Sequence, residues 1–137
     1  MSVIPPTQEN PLKIVIWGDP PIKKNQGKTV TNRATGKKVR IPPKKFSDWE
    51  KDAKKQLLGK MPTTGPIDYP INLQCVFYRQ KEIICDLSNL YEAPQDVLKD
   101  MGIIKDDNYT IVASHDGSRV EIDRTKPRME LTITPKS

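Results

Sequence analysis

The order of apolar and polar residues divides the chain into short periodic stretches separated by turn residues. Leu12-Lys13-Ile14-Val15-Ile16-Trp17-Gly18 is rich in β-branched residues and closed by Gly18-Asp19-Pro20-Pro21, which predicts a strand running into a turn. Thr29 to Asn32 and Lys37 to Ile41 flank Arg33-Ala34-Thr35-Gly36 and read as a solvated hairpin, because almost nothing in it is apolar enough for a core. Phe46 precedes Ser47-Asp48-Trp49-Glu50, the pattern of a capping box. A helix is therefore expected from about Ser47 to Leu58, stopped by Gly59 and Pro62. Ile71-Asn72-Leu73-Gln74-Cys75-Val76-Phe77-Tyr78 alternates at its start, as a half-buried strand does.

The stretch from Leu87 to Met101 has the helical period. Wound at about 100° per residue, Leu87, Leu90, Val97, Leu98 and Met101 share an arc of roughly 100°, and Asn89, Glu92, Asp96 and Asp100 share a separate face roughly 80° wide. Pro94 removes a backbone donor and disfavours helix at the residue before it. Either the helix kinks there, or Ser88 to Ala93 form a separate turn and Pro94 opens the helix proper. Gly102 ends it, and Tyr109 to Ser114 and Glu130 to Thr134 are further strand candidates. The sum predicts an α+β fold, a single domain over residues 12–137 with a small mixed sheet, two main helices and a basic hairpin, behind a flexible N-terminal tail over residues 1–11.

At 137 residues with 35% hydrophobic content the chain has the length of one domain. No apolar run approaches the roughly 18 residues a membrane helix needs. Met1-Ser2-Val3-Ile4-Pro5-Pro6 lacks the basic start and apolar stretch of a signal peptide, so a cytoplasmic location and no membrane partner are expected. Cys75 and Cys85 cannot build a disulfide scaffold or a four-ligand zinc site and read as reduced, structural thiols. His115, the single histidine, argues against a His-based zinc catalyst and reads as an ordinary loop residue. No Gly-rich phosphate loop is present, so no nucleotide cofactor is expected.

Charge changes the picture more than composition does. The net charge is +6, and nine basic residues with no acidic one lie between Lys23 and Lys45, so the remainder of the chain is slightly negative. Asp86, Glu92, Asp96, Asp100, Asp106 and Asp107 form the opposite concentration. A basic arm beside a carboxylate cluster points to a polyanionic partner and a cation-holding site, with a solvated charged surface as the alternative. Carboxylates from separate elements can hold Mg²⁺, which prefers hard oxygen ligands and keeps several waters. Phosphodiester hydrolysis then needs no nucleophilic side chain, in keeping with a chain that offers no Ser-His-Asp or Cys-His arrangement. The structural alternative is that Asp86 caps a helix, Asp96 and Asp100 are its solvated face, and Asp106-Asp107 make a turn.

The string DLSNLYEAPQDVLKDMGIIKDD from Asp86 to Asp107 resembles the signature of the RusA family of Holliday junction resolvases, commonly carried by prophages: D-x-D-N-L-x-K, then a helix Asp, then paired Asp-Asp. Gly18-Asp19-Pro20-Pro21-Ile22-Lys23-Lys24-Asn25 is similar to the family's segment after the first strand, and the order of elements agrees over nearly all of the chain. The resemblance places Asp86 on the first metal-binding aspartate, Asn89 on the asparagine, Asp96 on the helix aspartate and Asp106-Asp107 on the terminal pair. Ser88 and Glu92 depart from it, standing where the family has its second aspartate and a catalytic lysine.

The resemblance implies a Mg²⁺-dependent endodeoxyribonuclease, with Mn²⁺ able to substitute, that resolves four-way junctions by paired nicks as a homodimer in recombination and repair. Asp86, Asp106, Asp107 and Glu92 are the expected metal ligands, with Asp86 and Asp107 central and Glu92 replacing the carboxylate lost at Ser88. Lys24, or its neighbour Lys23, would supply the catalytic positive charge, and Ser88, Asn89 and Asp96 would support the site. Lys23, Lys24, Asn25, Lys28, Arg33, Lys37, Lys38, Arg40 and Arg119 are the expected DNA contacts, displacing phosphate counterions. Arg79 and Lys81, beside the acidic cluster, are minor candidates for phosphate contact, and Trp49 reads as core or interface. The rival readings are a catalytically weak or inactive protein that binds branched DNA and a less selective branched-DNA metal nuclease.

Overall fold

The structure is a computed structural model and describes residues 2–22, 28–31, 34–41 and 44–136. Its elements are β1 (Leu12–Trp17), β2 (Lys28–Thr31), β3 (Lys38–Ile41), α1 (Lys44–Gln56), β4 (Ile71–Arg79), α2 (Leu87–Asp100), β5 (Val112–Ser114), β6 (Arg119–Ile122) and β7 (Arg128–Pro135). The main sheet is mixed and runs β1-β7-β4, with β5 and β6 both pairing parallel to the far edge of β4, while β2 and β3 form a separate antiparallel hairpin. This is the expected α+β architecture.

Strand alternation sets the layers. Ile14 and Ile16 of β1, Leu131 and Met129 of β7, and Cys75 and Phe77 of β4 stand in register across the sheet and are buried. Onto this apolar face pack Phe46, Trp49, Ala53 and Leu57 around α1, and Leu90, Ala93, Val97 and Leu98 of α2. No helix among the described residues is long and apolar enough to cross a membrane.

Several elements differ from the sequence reading. α1 begins at Lys44, so Ser47 lies inside the helix and no capping box forms there. α2 runs unbroken through Pro94, which is buried against the core, so Ser88 to Ala93 do not form a separate turn and Pro94 does not open the helix. Met101 is its C-cap, and Gly102 follows at φ +73°, a left-handed conformation natural to glycine, letting the Ile103 N–H return to the Leu98 carbonyl at 2.9 Å. β5 is shorter than expected because residues 109–111 turn, with Val112 N–H bonded to the Asn108 carbonyl.

The N-terminal residues are tied down, since Val3 exchanges backbone bonds with Met61 and Thr63, and Gln8 donates to the Pro135 carbonyl. Between β5 and β6 the β4 edge is closed by side chains. The Cys75 N–H bonds to the Ser118 hydroxyl, and the amides of Asn72 and Gln74 reach the carbonyls of Asp116 and Gly117.

Candidate active site

α2 organises the acidic residues: Asp86 stands immediately before it, Glu92 and Asp96 lie half-buried along it, and Asp106-Asp107 follow its C-terminus. Asp86 occupies the N-cap position with extended backbone, φ −73° and ψ 135°. An aspartate there ordinarily accepts a bond from a first-turn amide. Here the side chain makes no capping bond and stays exposed, and it is the Asp86 carbonyl that receives the Asn89 N–H, at 3.0 Å. Capping does not account for this carboxylate. It is left at the positive end of the helix dipole, on a surface open to a cation or water.

The terminal pair divides its labour. Asp106 Oδ1 accepts the Asp107 backbone N–H at 2.7 Å, and Oδ2 accepts the Asn108 side-chain amide at 3.1 Å. The Lys99 ammonium stands 3.3 Å from Oδ1. The Asp107 N–H foremost, then Lys99 and the neighbouring Asp107 carboxyl, hold Asp106 below the ordinary carboxylate range. Asp106 is therefore the residue that shapes the turn, and half-buried Asp107 is the member of the pair whose side chain is not engaged by that turn's backbone. Beside them opens a cleft of about 370 Å³ lined by Asp68, Lys105, Asp106, Asn108, Thr110 and Ile111.

Lys99 is a participant that the sequence reading passed over. Asp106 above all, then Asp107 and more weakly Asp100, raise its pKa, so the acidic cluster is partly neutralised from within α2. The available signal was a basic residue in the last helical turn, a common placement that on its own points to the dipole rather than to a site.

Asp86, Asp106, Asp107 and Glu92 form an all-oxygen donor set, the chemistry Mg²⁺ selects. Among the described residues, however, no three or more Asp, Glu, His or Cys side chains stand close enough together to hold a metal ion. The expected convergence of four carboxylates is not what the fold presents. The residues suit an ion held by one or two carboxylates and completed by water and phosphate oxygens, the usual arrangement for Mg²⁺ at phosphate substrates.

Of the expected DNA contacts, Lys23, Lys24, Asn25 and Arg33 lie outside the described residues. Lys28, Lys38 and Arg40 are placed by their backbone in the hairpin, and Lys37 at its turn is exposed. Arg119 is paired, with Nε 3.0 Å from Glu121. Ser88 is exposed on the first turn of α2, with Asn89 half-buried beside it.

Arg79 is not a surface cation: it is 7% exposed, under the loop that leads to Asp86. Its Nη1 donates to the Ile83 carbonyl at 2.8 Å and lies 3.4 Å from Cys85 Sγ, while its buried Nε has no partner among the described residues. The start of that loop is also joined to the segment after β1, through the Gln80 N–H and Asp19 Oδ1 at 2.8 Å. His115 is likewise more than a loop residue. Its ring stacks on Tyr91 of α2 at 3.8 Å, and Nδ1 lies 2.9 Å from the Leu73 carbonyl. Trp49 is core, as expected, packed on Phe46 and against Gly18. Cys75 and Cys85 are free thiols, and burial pushes the Cys75 pKa up to about 12.

The family model for endodeoxyribonuclease RusA matches residues 18–134, which begins just after β1 and takes in every later element up to the penultimate residue of β7. No curated protein matches the chain.

Proposed function

The chain belongs to the RusA family of endodeoxyribonucleases, nucleases of Holliday junctions, and from that premise we propose that it is a Mg²⁺-dependent resolvase that nicks four-way junctions in pairs. The observation that carries the reading is the Asp86 carboxylate, which sits where a helix cap belongs and does not cap. A side chain kept out of its usual structural task, at the position that matches the family's first metal-binding aspartate, is best explained by an external ligand.

Asp86 and Asp107 are the proposed principal ligands, with Asp106 fixing the turn that carries Asp107 and Glu92 assisting. When bound, Mg²⁺, or Mn²⁺ in its place, supplies an activated water and neutralises charge on the scissile phosphate. The protein's own residues do the rest. The basic segment from Lys23 to Lys45 holds the phosphate backbone, and Lys99 limits the repulsion between the Asp106-Asp107 pair and incoming phosphate. Two nicks of like polarity call for two matching sites, which a two-fold homodimer provides. Recombination and repair in the cytoplasm is the setting this activity suits.

A second reading has its own support: with Ser88 and Glu92 at two motif positions and no three-ligand group among the described residues, the chain could bind junctions without cutting them. The deciding experiment compares a labelled four-way junction with a linear duplex, in Mg²⁺ or EDTA, for wild type and Asp86→Asn. Symmetric paired nicks that require both Mg²⁺ and Asp86 are expected. Tight junction binding without incision in any divalent metal establishes the second reading, and similar cutting of flaps and forks makes the chain a general branched-DNA nuclease. Sedimentation as a monomer on junction DNA removes the homodimer.

A further inference from the structure

Arg79 ends β4 with its guanidinium buried, and no carboxylate pairs with it among the described residues. A buried charge without a counter-ion is costly unless its donors are well used, and a Met or Leu of similar volume would fill the space without that cost. What the guanidinium does that an apolar side chain cannot is hold the chain that follows it. Nη1 takes the Ile83 carbonyl at 2.8 Å and touches Cys85 Sγ at 3.4 Å, so one group grips both the middle and the end of the loop over residues 80–86. The loop has little else to fix it. Ile83 and Ile84 point largely to solvent, Ile84 at 97% exposure, and among the described residues the other bonds on the loop are Ile83 N–H to the Lys81 carbonyl, Gln80 N–H to Asp19 and, at its far end, Asn89 N–H to the Asp86 carbonyl.

Asp86 is the next residue after Cys85, and because its side chain makes no capping bond, its placement is inherited from the backbone of this loop. We infer that Arg79 is a positioning residue: by clamping Ile83 and Cys85 from inside the core it sets where the Asp86 carboxylate stands. The inference rests on the reading of Asp86 as a ligand. It assigns Arg79 a role distinct from the phosphate contact that a basic residue near an acidic cluster first suggests.

The test uses Arg79→Met and Arg79→Lys, the second keeping charge and length where the first proves too destabilising to fold. Amide hydrogen exchange over residues 82–89 and single-turnover incision of a saturating junction are measured with junction Kd. The expected result is faster exchange confined to those residues, Kd within about twofold, and incision slower by about 10-fold to 100-fold, the scale of an ångström-level misplacement. Arg79→Lys, able to reach the Ile83 carbonyl with a single bond, recovers part of both. Unchanged exchange overturns the clamp, faster exchange with undiminished incision overturns the positioning role, and parallel loss of Kd and incision makes Arg79 a DNA contact instead. Should wild type fail to incise at all, the nuclease reading falls, while the exchange data still decide whether Arg79 holds the loop.

Discussion

The Lys99 ammonium lies 3.3 Å from Asp106 Oδ1, joining the last turn of α2 to the loop that follows it. Both side chains are about half exposed, so the pair contributes modestly to stability and weakens with salt. Its importance is local, because it helps to settle which of two adjacent aspartates is occupied by structure.

Asp107→Asn is therefore expected to impair incision more than Asp106→Asn, by about tenfold or more, since the amide at 106 can still accept the Asp107 N–H and keep the turn. Single-turnover rates for both variants check this. Equal losses would mean that Asp106 is a ligand on the same footing as Asp107.

Asp86→Ala separates catalysis from folding. Removing a working Asp cap costs about 1 kcal/mol, whereas Asp86 makes no cap bond, so urea unfolding should show a loss of less than about 0.5 kcal/mol. Incision should fall by about 100-fold or more, the scale of losing a group that stabilises developing charge. A full capping-sized loss of stability would show that the carboxylate bonds the helix in solution.

His115 predicts a pH dependence. Burial lowers its pKa from the ordinary histidine value of 6.5, against a smaller opposing effect of its bond to the Leu73 carbonyl. A base with a depressed folded pKa contributes stability that is complete above its unfolded pKa and is lost as pH falls towards the folded one. Stability should decline from about pH 6.5 downwards, and His115→Gln should flatten that decline, as unfolding midpoints at stepped pH will show. A slope that survives the substitution would assign it to other groups.

Gln56 brackets the end of β1: its Oε1 accepts the Trp17 N–H at 2.7 Å, and its Nε2 donates to the Trp17 carbonyl at 2.9 Å and to Asp52 at 2.9 Å. Gln56→Glu keeps the acceptor but sets a carboxylate against a carbonyl and Asp52. A loss of about 1–2 kcal/mol is expected at pH 7, recovering relative to wild type below about pH 4.3 as the new carboxyl protonates. A pH-independent deficit would point to packing rather than to the lost donor.

Periodicity made β1, β4 and α2 legible, because each buries one face and the pattern of Ile14, Ile16, Leu73, Phe77, Leu90 and Val97 records it. β6 was not anticipated: Arg119-Val120-Glu121-Ile122 is short and exposed throughout, and its pairing to β4 is a tertiary event that leaves little mark on local composition. The start of α1 was misplaced because Ser47 and Glu50 carry the residue types of a capping box inside a helix that had already begun. In the site, the positions of Asp86 and the terminal pair around α2 followed from the motif, but the failure of Asp86 to cap and the engagement of Asp106 by Lys99 depend on rotamers and turns. The sequence makes Arg79 a minor candidate for phosphate contact, because an arginine beside acidic residues is usually exposed. Only the packed fold reveals it beneath the loop.

The two flanks of the main sheet are finished differently, Gln56 occupying the end of β1 while β5, β6 and the side chains of Ser118, Asn72 and Gln74 share the flank of β4. A strand from another molecule would find the β4 ladder already occupied in segments, and at the close of β1 a side-chain amide already holding the bonds it would need. The pairing sites left for an added strand are thereby reduced at the close of β1 and along β4, and neither device draws on the loops around Asp86 and Asp107.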